Sequence, residues 1–283
     1  MITLASDFGT PYPAAMKGVL LQRTDARLVD VAHDFPRQDV RATAFWLREV
    51  LPYFPPAVHL VVVDPGVGTD RAALVVRAGE HALVGPDNGV LIPVARELAD
   101  ADRFDVFRVN YENADSATFH GRDVFAPAAA RVHEAGVDAL DGLEGVVPTE
   151  EFEDLRFPDP TVRDRSATGE LLVVDDFGNA ITNVPGEFLD GVDEIEVNGL
   201  SVPVEPSYAH VGPGERLVTV GSHGNVELAV NRGRGDEAFG VAASEASGGS
   251  SDKSDGVASE GPSDESTGIE VGDEIRLDTR PKR

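Results

Sequence analysis

The feature that most constrains this chain is the unbroken apolar run Leu60-Val-Val-Val63, delivered straight into Asp64-Pro-Gly66-Val-Gly68-Thr-Asp70-Arg71. A strand with no polar alternation reads as buried on both faces, which is the habit of parallel strands in α/β proteins. Ligand crevices in such sheets lie outside the carboxyl ends of the strands, so a carboxylate and a guanidinium placed there mark an address for chemistry. Two more polar clusters occur: Thr118-Phe-His120-Gly-Arg-Asp-Val-Phe-Ala-Pro127, and Asp175-Asp-Phe177-Gly-Asn179-Ala-Ile-Thr-Asn183. Together the three point to one composite site.

Around that run, residues 1–155 alternate apolar strands with helical periodicity, the rhythm of an α/β domain with a sheet flanked by helices. The pattern predicts strands at Ile2 to Leu4, Leu28 to Val31, His59 to Val63, Leu74 to Ala78 and Val106 to Val109. Helices are expected at Ala14 to Gln22, Val40 to Leu51, Val90 to Leu98 and Val124 to His133, the last with Asp123 as a candidate N-cap. A stretch rich in proline and charge follows, and its 156–168 portion reads as a linker. From residue 169 to 283 the pattern changes to short strands, so a smaller all-β, barrel-like domain is expected. Asn198-Gly199 between two alternating runs is its clearest hairpin signal. Residues 242–267 are nearly free of large apolar side chains and read as a disordered acidic insertion.

The 283 residues carry a formal charge of −26, with 50 acidic against 24 basic groups, and the lysines are Lys17, Lys253 and Lys282 alone. Such a surface repels nucleic acid and anionic membrane, so neither is expected as a partner. Acidic excess with few lysines also points to a salt-rich cytoplasm, where screening relieves self-repulsion. No run approaches ~18 consecutive apolar residues, and the start Met-Ile-Thr-Leu-Ala-Ser-Asp lacks signal-peptide character, so a cytoplasmic location is expected. Without cysteine there are no disulfides, thiolate metal sites or cysteine nucleophiles. The histidines show no metal-ligand spacing, and no metal is expected.

Taken by themselves, the site candidates keep two readings. Asp64 suits a turn former as well as a catalytic carboxylate, but Gly66 and Gly68 bare the backbone and Arg71 can hold the carboxylate ionised. His120 suits a structural histidine as well as a catalytic one. Asp7, in Ser6-Asp7-Phe8-Gly9, caps a turn or accepts hydrogen bonds from vicinal hydroxyls of a ribose. Gly85-Pro-Asp87-Asn88-Gly89 reads as a turn first and a site wall second. Arg234-Gly-Asp236 is a chance match to an adhesion tripeptide.

Combined, Ser-Asp7-Phe-Gly, Met16-Lys-Gly-Val-Leu, Val-Val-Asp64-Pro-Gly-Val-Gly-Thr-x-Arg71, Gly-Pro-Asp87-Asn-Gly, Thr-Phe-His120-Gly-Arg-Asp, Asp175-x-Phe-Gly-Asn179 and Gly221-Ser-x-Gly-Asn-Val-Glu-Leu-Ala resemble the S-adenosyl-L-methionine (SAM) hydroxide adenosyltransferase family, relatives of the SAM-dependent fluorinase and chlorinase. The resemblance spans nearly the whole chain, and the acidic, lysine-poor composition suggests a halophilic archaeon as source. It implies an α/β domain followed by a β-barrel-like domain, and a homotrimer with SAM bound between subunits. It further implies hydrolysis of SAM to adenosine and L-methionine with no cofactor and no metal. Catalytic roles then fall on Asp64, Arg71 and His120. Asp7 takes the ribose diol, Phe177 and Asn179 the adenine, Asp175 the methionine ammonium and Ser222 its carboxylate. Where the halogenases carry tyrosine and Tyr-Ser, this chain has Asp64 and His120-Gly121, and it lacks their longer loop before Gly85; both differences favour water over halide. It also has no acidic residue within Pro11-Tyr12-Pro13, where the halogenases place a second aspartate. Alternatives are a SAM-dependent chlorinase and a SAM- or adenosine-binding protein without turnover.

Overall fold

The computed structural model describes residues 1–99, 103–111, 118–242 and 269–279. The chain divides into two compact units, Met1–Arg156 and Phe157–Arg283. The expected insertion at 242–267 falls, beyond its first residue, outside the described residues.

Unit 1 contains strands β1 (Ile2–Ser6), β2 (Leu28–Ala32), β3 (Val58–Val62), β4 (Ala73–Ala78), β5 (His81–Pro86), β6 (Phe104–Val109) and β7 (Val146–Pro148). Helices α1 (Tyr12–Leu21), α2 (Val40–Val50), α3 (Ile92–Leu98) and α4 (Ala126–Ala135) pack on them, α1 against α4 and α2 against α3. The sheet order is β2-β1-β3-β5-β4-β6-β7. Its β2-β1-β3-β5 half is parallel, while β4, β6 and β7 pair antiparallel with their neighbours. The buried-run argument holds for β3, whose five residues are all buried.

The sequence pattern missed β5 and β7. The last two residues of β5, Gly85 and Pro86, belong to the Gly85–Gly89 motif that composition reads as a turn, yet Gly85 lies so close to the β3 backbone that a Cβ there would stand 2.5 Å from the Val61 carbonyl oxygen. Glycine is what lets these two strands pair side by side. Asp39 caps α2 by accepting the Ala42 N–H at 2.8 Å. Asp123 is not the N-cap of α4, a position that Phe125 holds: the Asp123 carboxylate is bound by Arg122 at 2.6 and 2.8 Å, and the chain enters α4 through a π-helical turn at Gly121–Phe125. His59 is wholly buried between Thr3 Oγ1 (2.7 Å) and His81 Nδ1 (2.9 Å), and burial pulls its pKa down to about 3. It is a neutral core residue.

Strand order decides where a ligand belongs. The chain leaves β1 for β2 on one side and later returns to β3 on the other, so the crevice outside the carboxyl ends of β1 and β3 is the switch point where open α/β sheets bind ligands. The register aligns Ser6 with Val62, which brings Asp7 and the Asp64 turn to that crevice from adjacent parallel strands.

Unit 2 is all β. It contains β8 (Thr161–Arg163), β9 (Ser166–Val174), β10 (Ala180–Pro185), β11 (Glu194–Val197), β12 (Leu200–Pro203), β13 (Arg216–Val220), β14 (Asn225–Val230), β15 (Val241–Ala242), β16 (Ile269–Glu270) and β17 (Glu274–Thr279). The main sheet runs β12-β11-β17-β9-β10-β14-β13, and a bridge from Val204, just past β12, to Val218 on β13 brings its two edges together into a nearly closed barrel. Asn198 and Gly199 both take positive φ (47° and 87°), making the hairpin that joins β11 to β12. Within 156–168, where a linker is expected, Thr161–Arg163 already pairs with β9. Strand β10 was hidden because Ala180-Ile-Thr-Asn183 sits inside a polar motif.

Candidate active site

Asp64 follows β3 by two residues and its side chain is only 6% exposed. Its Oδ1 accepts the Gly66 N–H at 3.1 Å and an Arg71 Nη1–H at 3.3 Å. The turn-former reading of Asp64 is realised by the first of these bonds, and the second places the Arg71 guanidinium beside the same carboxylate. The Arg71 guanidinium folds back across the loop so closely that a Cβ at Gly66 would lie 2.6 Å from it and push that side chain aside. Burial raises the Asp64 pKa above the ordinary 3.8, opposed by Arg71, the Gly66 N–H and His120 and reinforced by Asp7. A buried carboxylate with raised proton affinity, beside a cation that favours its ionised form, is chemically suited to accept a proton. A groove of about 810 Å³ lined in part by Pro65, Arg71, Asp87 and Asn88 opens beside the loop.

His120 precedes the π-helical turn and is 8% exposed. Gly121 brings this turn down onto the sheet: a Cβ there would meet Met16 Sδ at 2.9 Å and Val62 Cγ1 at 3.1 Å. Single π turns inside helices are frequent at functional sites because they re-aim a side chain. Phe8, Tyr12 and Phe119 form an edge-to-face trio with centroids 5.6 to 6.2 Å apart, walling the space between the Asp7 loop and the His120 turn.

Asp7 Oδ2 accepts the Gln38 N–H at 2.6 Å. Its loop is held by a residue the sequence did not single out: His33 Nδ1 lies 2.7 Å from Ser6 Oγ, its Nε2 lies 3.0 Å from Asp30 Oδ1, and its carbonyl accepts the Gly9 N–H at 2.8 Å. Asp30 is in turn paired with Lys17 at 2.5 Å. Thus unit 1 gathers Asp7, Asp64, Arg71 and His120 at one sheet edge.

The remaining candidates lie in unit 2. Asp175 Oδ1 accepts the N–H groups of Phe177 (2.9 Å) and Asn179 (2.8 Å), and its Oδ2 accepts Asn179 Nδ2–H at 2.9 Å. Of the roughly four lone-pair positions a carboxylate offers, three are used by its own turn. This turn presents the Phe177 ring 78% exposed. Gly178 (φ +84°) packs under Arg234 and Asp236, which form a two-pronged ion pair, so the Arg-Gly-Asp tripeptide has a structural role. Ser222 is exposed on the tight turn between β13 and β14. Tyr208 and Glu227, bonded to each other at 2.5 Å beside Asn179, were missed. The available signal was an acidic residue inside the apolar strand Val226-Glu227-Leu228-Ala229-Val230, since a buried carboxylate needs a partner.

Among the described residues, no three His, Asp or Glu side chains cluster as metal ligands, and no helix is long and apolar enough to cross a membrane.

Fold and site define a two-unit α/β-plus-β-barrel protein with a carboxylate, guanidinium and imidazole gathered at a sheet switch point. Residues 2–141 match the SAM hydroxide adenosyltransferase N-terminal domain and residues 169–246 its C-terminal domain. The chain belongs to the SAM hydroxide adenosyltransferase family. It is 41% identical over 252 residues to the (R)-S-adenosyl-L-methionine hydrolase of Salinispora tropica, covering 85% of this chain and 94% of that one. It is 42% identical over 249 residues to the protein of the same name from Thermus thermophilus, covering 83% and 94%. A solved structure of a conserved protein from Thermotoga maritima superposes with a TM-score of 0.74 at 32% identity, covering 98% of this chain and 99% of that one.

Proposed function

We propose that this chain hydrolyses SAM to adenosine and L-methionine by in-line attack of water at the ribose C5′. The observation that carries the reading is the placing of Asp64, Arg71, His120 and Asp7 within electrostatic reach of one another at the switch point. The sulfonium is already an activated leaving group, so the protein has to position one water behind C5′ and ease its deprotonation. Asp64 orients that water and accepts its proton, while Arg71 and His120 stabilise the hydroxide-like oxygen. As the C5′–O bond forms, the C5′–S bond breaks and its electron pair leaves on neutral methionine sulfur. Asp7 binds the ribose diol, Phe177 and Asn179 the adenine, Asp175 the ammonium through its remaining lone pair, and Ser222 the carboxylate.

The working form in this proposal is a homotrimer in which unit 1 of one subunit meets unit 2 of the next, and the acidic surface suits a salt-rich cytoplasm. Support for hydrolysis over chlorination comes from Asp64 and His120 themselves, which offer a proton acceptor and no hydroxyl for a halide. Pure protein incubated with SAM in about 1 M KCl is expected to yield adenosine and methionine on chromatography. 5′-Chloro-5′-deoxyadenosine as main product would replace this reading with the chlorinase, and SAM binding without product would replace it with a sensor.

A further inference from the structure

Two turns of unit 2, the one after β9 and the one between β13 and β14, are joined by a chain of polar side chains. Asn179 Nδ2 donates to Asp175 Oδ2 (2.9 Å) and to Tyr208 Oη (3.3 Å), Tyr208 donates to Glu227 Oε1 (2.5 Å), and His223 Nε2 lies 3.5 Å from Glu227 Oε2. Asn179 and Glu227 are 6% and 5% exposed. A buried carboxylate held away from water is costly unless paired, so an all-β core has no need of Glu227 for packing.

The chain has a direction. A carboxylate only accepts, so the phenolic proton points at Glu227 and a lone pair of Tyr208 faces Asn179. Burial and the hydrogen bond to Glu227 push the Tyr208 pKa up, which keeps that proton in place. Asn179 therefore meets two acceptors, Asp175 and Tyr208, and must turn its NH2 to both. Rotating the amide by half a turn would set its oxygen against two acceptors and leave both unpaired, the expensive outcome for buried polar groups. Its Oδ1 is left as the group for a ligand.

We infer that Tyr208 and Glu227 are positioning residues that fix the polarity of Asn179, so that this corner accepts a hydrogen bond from an amino group on a purine and rejects a carbonyl at the same ring position. The inference rests on the reading of Asn179 as the adenine partner. It makes the site selective for 6-amino over 6-oxo purine nucleosides through residues set behind the contact itself.

Calorimetric titration of the full-length protein with adenosine and with inosine, in about 1 M KCl, tests it. Wild type should prefer adenosine by roughly tenfold or more. Tyr208→Phe and Glu227→Leu should lose most of that preference by weakening adenosine, and should raise KM for SAM more than they lower kcat. Glu227→Gln, which keeps an acceptor oxygen for Tyr208, should restore the preference lost in Glu227→Leu. Thermal melting identifies a variant that fails to fold, and Tyr208→Phe, which deletes one oxygen, then carries the comparison. If Asn179→Ala abolishes the preference while Tyr208→Phe retains it, positioning is overturned and the adenine reading stands. If Asn179→Ala also leaves the preference intact, the adenine reading fails and the inference with it.

Discussion

Asp64→Asn is expected to lower kcat for SAM hydrolysis by roughly 10²-fold or more, the usual range for loss of general-base help, while leaving the melting temperature unchanged or higher. The first half follows from role: asparagine keeps the shape and the Oδ1 that accepts the Gly66 N–H, but takes no proton. The second follows from the sign of the pKa change. Burial raises the folded-state value of Asp64 above the ordinary 3.8, so its favourable contribution to folding belongs to the protonated form and is lost as pH rises through the folded value. An amide, which carries no charge at any pH, escapes that loss. The same shift predicts that kcat/KM of wild type falls on acidification at a pH above the ordinary carboxylate range. Turnover near wild type, or a lowered melting temperature with the loss explained by unfolding, would remove Asp64 from the catalytic role.

How much of this was legible in the sequence depended on whether a residue's signal was local. Asp64 and Arg71 announced themselves because an uninterrupted apolar strand runs into glycines, and in the structure the Arg71 guanidinium lies in the space that a side chain at Gly66 would take. The hairpin at Asn198-Gly199 was legible for the same reason, two adjacent positions with positive φ. Strand β5 was not, because its last residues double as a turn motif and its pairing with β3 is non-local. His33 was invisible for a different reason. Its work is to tie Ser6 and Gly9 to Asp30 across a crossover, and no spacing in the sequence encodes that contact. Tyr208 and Glu227 fall between: the glutamate stands out in its strand, but its partner is a tyrosine on another loop. Asp123 misled because an acidic residue before a helical pattern usually caps it, whereas here the helix has already begun as a π turn.

Lowering KCl from about 1 M to about 0.1 M is expected to remove activity and trimer together. Each chain carries a formal charge of −26, so a trimer brings large like charges into proximity. At the higher salt the Debye length is roughly 3 Å and subunits scarcely sense one another's net charge; at the lower it is roughly 10 Å, and repulsion acts across an interface. If binding groups from one subunit complete the catalytic groups of another, loss of association is loss of the site. Light scattering and turnover on the same samples should fall along one curve and recover on restoring KCl. Full activity from a monomer would refute the shared site, and a trimer equally active and stable in dilute buffer would refute the salt-adapted reading.

The central claim, direct attack of water at C5′ promoted by Asp64, Arg71 and His120, is tested most directly by turnover of SAM in ¹⁸O-labelled water, with mass spectrometry of the adenosine. In-line displacement places the solvent oxygen on C5′, so the adenosine formed should carry the label at its 5′ oxygen in proportion to the enrichment of the water. Adenosine free of label, or a halogenated nucleoside in its place, would contradict it.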